Sequence, residues 1–266
     1  MRRALARFPA GAAGVTAALL ATACASCGGG TIAAGAPPRP APAAAVVTQT
    51  ATAPTPPPRT ATVVTQPPRT SAPVVPMPPI RHRWIPLTAR RLRETSAYAQ
   101  RHYGLSGWTI AHPHVIVEQL TEDGSVSATW NTFAPDVPDV ELHELPGLCS
   151  QFAIGQDGTI WQFTPVTFMC RHTVGLNWTA IGIEHVGYTE QDVFGRRAQL
   201  DASLSLTRWL RCRYRIPVRD VIGHAESLSS PFHRERVASL RTQTHDDWQP
   251  WAMRRYRALL RARGGC

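Results

Sequence analysis

Apolar residues recur in short runs along the last two thirds of the chain, and the period of each run predicts an element. Ala180 to Gly187 reads AIGIEHVG, a short, partly β-branched run bounded by Asn177 and Thr179 on one side and Gly187 on the other, which predicts a buried strand. Glu184 and His185 follow its apolar part directly. Adjacent strand residues point to opposite faces, so only one of the two can share a face with Gly182. Trp108 to Gln119 predicts a second strand, with Val115-Ile116-Val117 as its apolar core and Glu118 at its end. Ser150 to Phe163 predicts a hairpin turning at Gln156-Asp157-Gly158, and Val218 to Gly223 a last strand ending at His224. Thr88 to Tyr103 predicts a helix with Thr as cap and Gly104 as stop. Arg196 to Tyr214 carries Leu200, Leu204, Trp209 and Leu210 at helical spacing, and Trp248 to Arg261 predicts a closing basic helix. Ala128 to Phe133 reads as a short helix or loop. Helices interleaved with a mixed central sheet define an α/β domain over residues 81–266, large enough for its own core.

The preceding residues are of a different kind. Residues 28–80 are mostly Ala, Pro and Thr, without an aromatic, and VVTQ recurs at Val46 to Gln49 and Val63 to Gln66. Such a stretch cannot bury a core and predicts an extended linker, long enough to reach on the order of 100 Å. Before it, Arg2, Arg3 and Arg7 precede the small apolar run Ala10 to Ala23, too short to span a bilayer comfortably. Residues 1–27 therefore read as a signal peptide. Leu20-Ala21-Thr22-Ala23-Cys24 is similar to a lipoprotein signal, which implies a lipid on Cys24 and membrane attachment. Ordinary secretory cleavage near Ala23 or Ala25 is the alternative; both place the mature protein outside the cytoplasm, in the cell envelope or secreted.

Export permits disulfides, and Cys149, Cys170, Cys212 and Cys266 remain beyond the signal region. Cys149 and Cys170 bracket the hairpin and are expected to pair; Cys266, in an Arg-Gly-Gly-Cys end, reads as free. With 28 basic residues, all Arg, against 18 acidic, the formal charge is +10. That balance suits an anionic partner such as an anionic lipid or an acidic wall polymer. No RNA-binding signature, zinc finger or basic heptad array is present, which argues against nucleic acid.

Polar residues cluster where the apolar strands stop. Glu118, Glu184 and His224 each close a strand, and His172, His233 and His245 lie on loops that could converge there. Two His and one carboxylate form a catalytic zinc set that leaves a position open for water, and a nearby Glu can move the proton. His82, His102, His112, His114 and His143 have no motif around them and read as surface residues.

The order of these motifs resembles the zinc-dependent N-acetylmuramoyl-L-alanine amidase superfamily, which includes the peptidoglycan recognition proteins. The resemblance covers about Val115 to Trp248. It comprises the apolar strand, the QDG turn, His172-Thr173-Val174-Gly175, Asn177 with Ile181 to Glu184, Gly223-His224, and Arg241 to His245 in place of a Lys-Thr-Asp-like terminal segment. It implies a fold with a mixed central sheet flanked by helices, and a Zn2+ ion held by Glu118, His224 and His245, with His233 as rival to His245. Glu118 stands where the family has His, and Gln243 where it has Lys. Glu184 would be the acid–base residue, His172 would line the groove or steady the oxyanion, and Asn177 and Gln243 would bind substrate. The implied reaction is hydrolysis of the amide between N-acetylmuramic acid and L-alanine in peptidoglycan. The alternative is a peptidoglycan-binding module of the same fold without catalysis, to which the departures at Glu118 and Gln243 point.

Overall fold

A computed structural model describes residues 75–266. The expected signal peptide, Cys24 and most of the expected linker lie outside the described residues. Among these, no helix is long and apolar enough to cross a membrane.

The elements run β1 (Ile80–His82), α1 (Ala89–Tyr103), β2 (Val115–Leu120), α2 (Val126–Phe133), β3 (Phe152–Ile154), β4 (Ile160–Gln162), β5 (Ala180–His185), α3 (Glu190–Gly195), α4 (Arg197–Tyr214), β6 (Val221–Gly223) and α5 (Pro250–Ala262). One six-stranded sheet has the order β1-β4-β3-β5-β2-β6. Only the β3–β4 hairpin is antiparallel; the remaining neighbours are parallel. This is the mixed, helix-flanked sheet expected from the pattern.

Local chemistry accounts for the helix ends. The Thr88 side chain accepts from the Arg91 N–H, as an N-cap does, and Gly104 closes α1. Pro250 opens α5, where its missing N–H costs nothing, so the helix starts two residues later than the apolar pattern suggests. The predicted strand at Val218 begins instead as a 3-10 turn over Val218–Asp220 and becomes β6 only at Val221. The strand expected from Trp108 begins at Val115; before it, Thr109 makes a single bridge to Phe168.

The two faces of the sheet have different burdens. Ile116, Ile181, Ile183, Phe152 and Ile154 pack against Leu204, Leu206 and Leu210 of α4 and Met253, Tyr256 and Leu260 of α5 in the main core. On the other face, Val115, Val117, Ala180 and Ile222 meet Leu176 and Phe232 in a smaller cluster. Further along the strands this second face turns polar, and there the cleft opens.

Both disulfide expectations meet a test. Cys149 and Cys170 are bonded, as expected. Cys266 is not free: it is bonded to Cys212 on α4, which ties the chain end back to the core. That bridge closes a loop over a separation of 54 residues, so replacing both cysteines with serine should cost about 4 kcal/mol by the chain-entropy account. Chemical denaturation under non-reducing conditions, double variant against parent, measures it.

Candidate functional site

Strand register decides which polar residues meet. Gln119 of β2 lies directly opposite Glu184 of β5, and Glu118 opposite Ile183. On its other side β2 pairs Glu118 with Gly223, the last residue of β6, and His224 follows directly as the first residue of a 3-10 turn. Neighbours in register in a parallel sheet share a face. Glu184 and Gln119 thus stand side by side on the face away from α4 and α5, and His224, just past the end of β6, continues the row. Asp247 closes the end of the row. Its Oδ2 accepts from the Leu120 N–H at 2.9 Å and its Oδ1 lies 3.2 Å from His224 Nδ1.

This row is the floor of a cleft of about 620 Å³, also lined by His172, Asn177, Tyr188, Gln243 and His245. One wall is the segment from Val137 to Leu148. It is clamped from behind by the buried Arg171, whose guanidinium donates to the Pro146 carbonyl at 2.8 Å, the Glu144 carbonyl at 3.1 Å and the Asp139 carboxylate. His102 braces the same segment. Its two ring nitrogens lie 3.1 Å from Glu144 Oε2 and 2.9 Å from Glu235 Oε2, so it is a fully buried ion-pair residue rather than the surface histidine expected.

Gly182 lets the floor pack. A Cβ there would come 2.8 Å from Ser150 Oγ and 3.0 Å from both Gln119 Nε2 and His172 Cε1. Gly182→Ala should therefore displace the Gln119 and His172 side chains packed over it and cost about 1–3 kcal/mol, read by chemical denaturation.

Glu184 is 6 % exposed and faces the cleft. Burial pushes its carboxyl up to about 8, and the charges of Asp247, Asp123 and Glu122 push the same way. At neutral pH it holds a proton. His172 is displaced in the opposite direction, down to about 3, by burial and by His224. Its Nδ1 contacts Gln119 Nε2 at 3.0 Å and Thr173 Oγ1 at 2.9 Å, and its Nε2 is buried without a hydrogen-bond partner. That shift keeps the His172 ring neutral. Asn177 is fully buried: its Oδ1 accepts from the His172 and Thr173 N–H groups and its Nδ2 donates to the Tyr98 hydroxyl. It shapes the turn that carries His172.

The expected metal set is rearranged. Glu118 does not reach the cleft. It is wholly buried on the opposite face, where its Oε1 accepts from Thr207 Oγ1 at 2.8 Å and its Oε2 lies 3.6 Å from His185 Nε2. The reason is parity: one residue along a strand reverses the face. His245 lies tilted against His224 with ring centroids 4.7 Å apart, but its Nε2 is engaged at the rim by Glu141 at 3.3 Å and by Gln243 at 3.1 Å. Gln243 itself donates to Glu141 at 3.1 Å. His233 lies over Gly175, outside the cleft. The residue against His224 is Asp247, which sequence reasoning passed over. The signal was present: a Lys-Thr-Asp-like segment ends in an acid, and His245-Asp246-Asp247 offers one at its third place. On that reading His245, not Gln243, stands two residues before the acid.

The sequence model of the N-acetylmuramoyl-L-alanine amidase family matches residues 110–250, and the chain belongs to that family. No curated protein matches the chain. Among solved structures it is similar to an N-acetylmuramoyl-L-alanine amidase endolysin of Clostridium intestinale, at 21% identity over 70% of this chain and 97% of that one, with a TM-score of 0.44. It is also similar to Drosophila PGRP-LB, at 19% identity over 44% and 73% with a TM-score of 0.36. A third is the E. coli amidase AmiD in complex with an anhydro-muramoyl peptide, at 23% identity over 44% and 50% with a TM-score of 0.33.

The family implies zinc, and the residues present can be tested for it. His224 and Asp247 are an imidazole and a carboxylate side by side, as a zinc site needs. The third position in the row is Gln119, a neutral amide turned toward His172. Among the described residues no group of three or more His, Cys, Asp or Glu is placed to hold a metal ion. The set supplies two zinc donors where a catalytic site uses three, and does not fit it.

Proposed function

We propose that this domain binds peptidoglycan, taking the muramoyl–L-alanine junction into the cleft over Glu184, Gln119 and His224. The observation that carries the reading is that row, brought by strand register to the floor of a cleft in a chain of the amidase family. The cleft has the size of a small-ligand site. Its mouth presents the exposed apolar side chains of Val137, Val140 and Tyr188, suited to the apolar faces of a sugar–peptide chain. The basic charge of the whole chain complements an acidic wall polymer. Export and a lipid on Cys24 would hold the domain in the envelope, with residues 28–80 as the tether. With an incomplete donor set, binding without zinc-dependent hydrolysis is the function the geometry supports best.

Hydrolysis of the muramoyl–L-alanine amide is the second reading, favoured by Glu184. A carboxyl that keeps its proton to about pH 8 in a cleft is suited to general acid–base work. Zinc, when bound, would supply an activated water and a Lewis acid, and His224 and Asp247 are the residues that would hold it.

Incubation with purified peptidoglycan separates the readings. Co-sedimentation without new L-alanine N-termini supports the first. New L-alanine N-termini, lost on chelation, support the second. Absence of both sinks the assignment to this polymer.

A further inference from the structure

The middle of the row is where the site departs from a metal centre, and one side chain makes the difference. Gln119 has Glu184 in register on one side, the residue before it is paired on the other side with Gly223, which His224 follows, and the next residue's N–H is bonded to Asp247. A ligand projecting from position 119 would enter the cleft that His224 and Asp247 line, where His224 Nδ1 and Asp247 Oδ1 are already 3.2 Å apart. Gln119 instead directs its amide to His172 Nδ1 at 3.0 Å. An amide is a weak donor to zinc beside imidazole, and this one is committed elsewhere. His172 does not replace it: its Nδ1 is held between Gln119 and Thr173. Glu118 cannot replace it either, because the strand sends its carboxylate through the sheet to Thr207.

We infer that Gln119 is the residue that sets zinc affinity here, and that a single replacement by a ligating side chain at this position completes a three-ligand site. This rests on reading the cleft as the family's site. The strand needs no new geometry for it: backbone, register and the other two ligands stay as they are. The half-site formed by His224 and Asp247 is what the natural chain offers a divalent cation, weakly.

The test compares the full chain with Gln119→His and with Gln119→Glu, which keeps the shape of glutamine and so serves if the imidazole does not fit. Zinc affinity is measured by competition with a chromophoric chelator, and geometry by the visible absorption of the cobalt(II) form. Loss of a tuning contact around a zinc site typically weakens it by 10- to 100-fold, and a missing ligand should weigh more. At least one variant should therefore bind one zinc on the order of 100-fold more tightly than the parent and give an intense tetrahedral cobalt spectrum. Adding His224→Ala to that variant should abolish the gain. The inference is overturned if the parent binds one zinc as tightly as both variants, or if neither variant gains affinity while its thermal melt stays cooperative. Peptidoglycan co-sedimentation by the parent in chelator is scored separately. Its failure would remove the functional reading and leave the metal comparison standing.

Discussion

Glu118→Gln should make this domain more stable than its parent at pH 8 and no less stable near pH 5. Glu118 is wholly buried, and burial raises its carboxyl from 4.5 to about 8, against the smaller opposing effect of its Thr207 and Tyr256 hydrogen bonds. Its neighbour His185, 3.6 Å away, is driven down to about 4 by the same burial. Both partners are neutral. For a group whose folded pKa is raised, the contribution to stability is full below the unfolded value, here 4.5, and is lost as pH rises through the folded one. Each such group costs about 1.4 kcal/mol per pH unit in that window. Glu184 works in the same direction over the same range. His172 and His185, with lowered folded values, work oppositely, their contributions being lost as pH falls below the free-histidine value of 6.5. The four nearly cancel between about 4.5 and 6.5, so the loss appears above 6.5. The Gln variant keeps the acceptor for Thr207 and removes one proton from the balance. Denaturation of parent and variant at several pH values measures the difference in slope directly. If the pair were an ionised salt bridge, Glu118→Gln would leave a buried cation and destabilise by about 3–5 kcal/mol throughout. Glu118→Ala, which strips Thr207 of its acceptor and leaves a cavity, should be destabilising at every pH.

The history of Glu118 shows how much of this site can be read before folding. The apolar core Val115-Ile116-Val117 announces a strand, and the polar residues at its end announce a site, but two polar residues stand there in succession. Which faces the cleft depends on pairing with β5, a contact between residues 65 apart in sequence (184 minus 119) that no local pattern encodes. Glu184 and His185 pose the same choice, and register settles it by sending His185 to Ser203 on the opposite face, whereas His224 follows Gly223, which offers no rival side chain. Gly223 also admits Trp248: a Cβ there would lie 1.9 Å from the Trp248 carbonyl oxygen, so this close approach helps set Asp247 beside His224. The short elements β1 and α3 escaped notice because three to six residues carry too little periodicity, and their places are fixed by partners, Ile160 to Gln162 for β1 and α4 for α3. Cys266 looked free because its neighbours Gly264 and Gly265 suggest a loose end, and only the return of α5 along α4 brings it to Cys212.

Glu184→Gln should separate binding from chemistry more sharply than any other change in the cleft. The substitution preserves shape and, below about pH 8, preserves charge as well, since the parent carboxyl is protonated there. Binding of a muramoyl peptide at pH 6 should then stay within about threefold of the parent, because a neutral amide and a neutral acid can both donate and accept one hydrogen bond. Above pH 8 the two should diverge. The parent acquires a charge beside Asp247, Asp123 and Glu122, and its affinity for a neutral amide junction falls, while the variant's stays level. Any amide hydrolysis by the parent should drop by about 10²- to 10⁴-fold, the usual worth of a positioned acid–base group, because an amide cannot pass a proton on. Calorimetric titration across pH and a count of released L-alanine N-termini read the two effects on the same samples. A variant that loses binding at pH 6 would mean that the parent meets its ligand as a carboxylate, and that the acidic residues around Glu184 are there to attract a cation rather than to hold a proton.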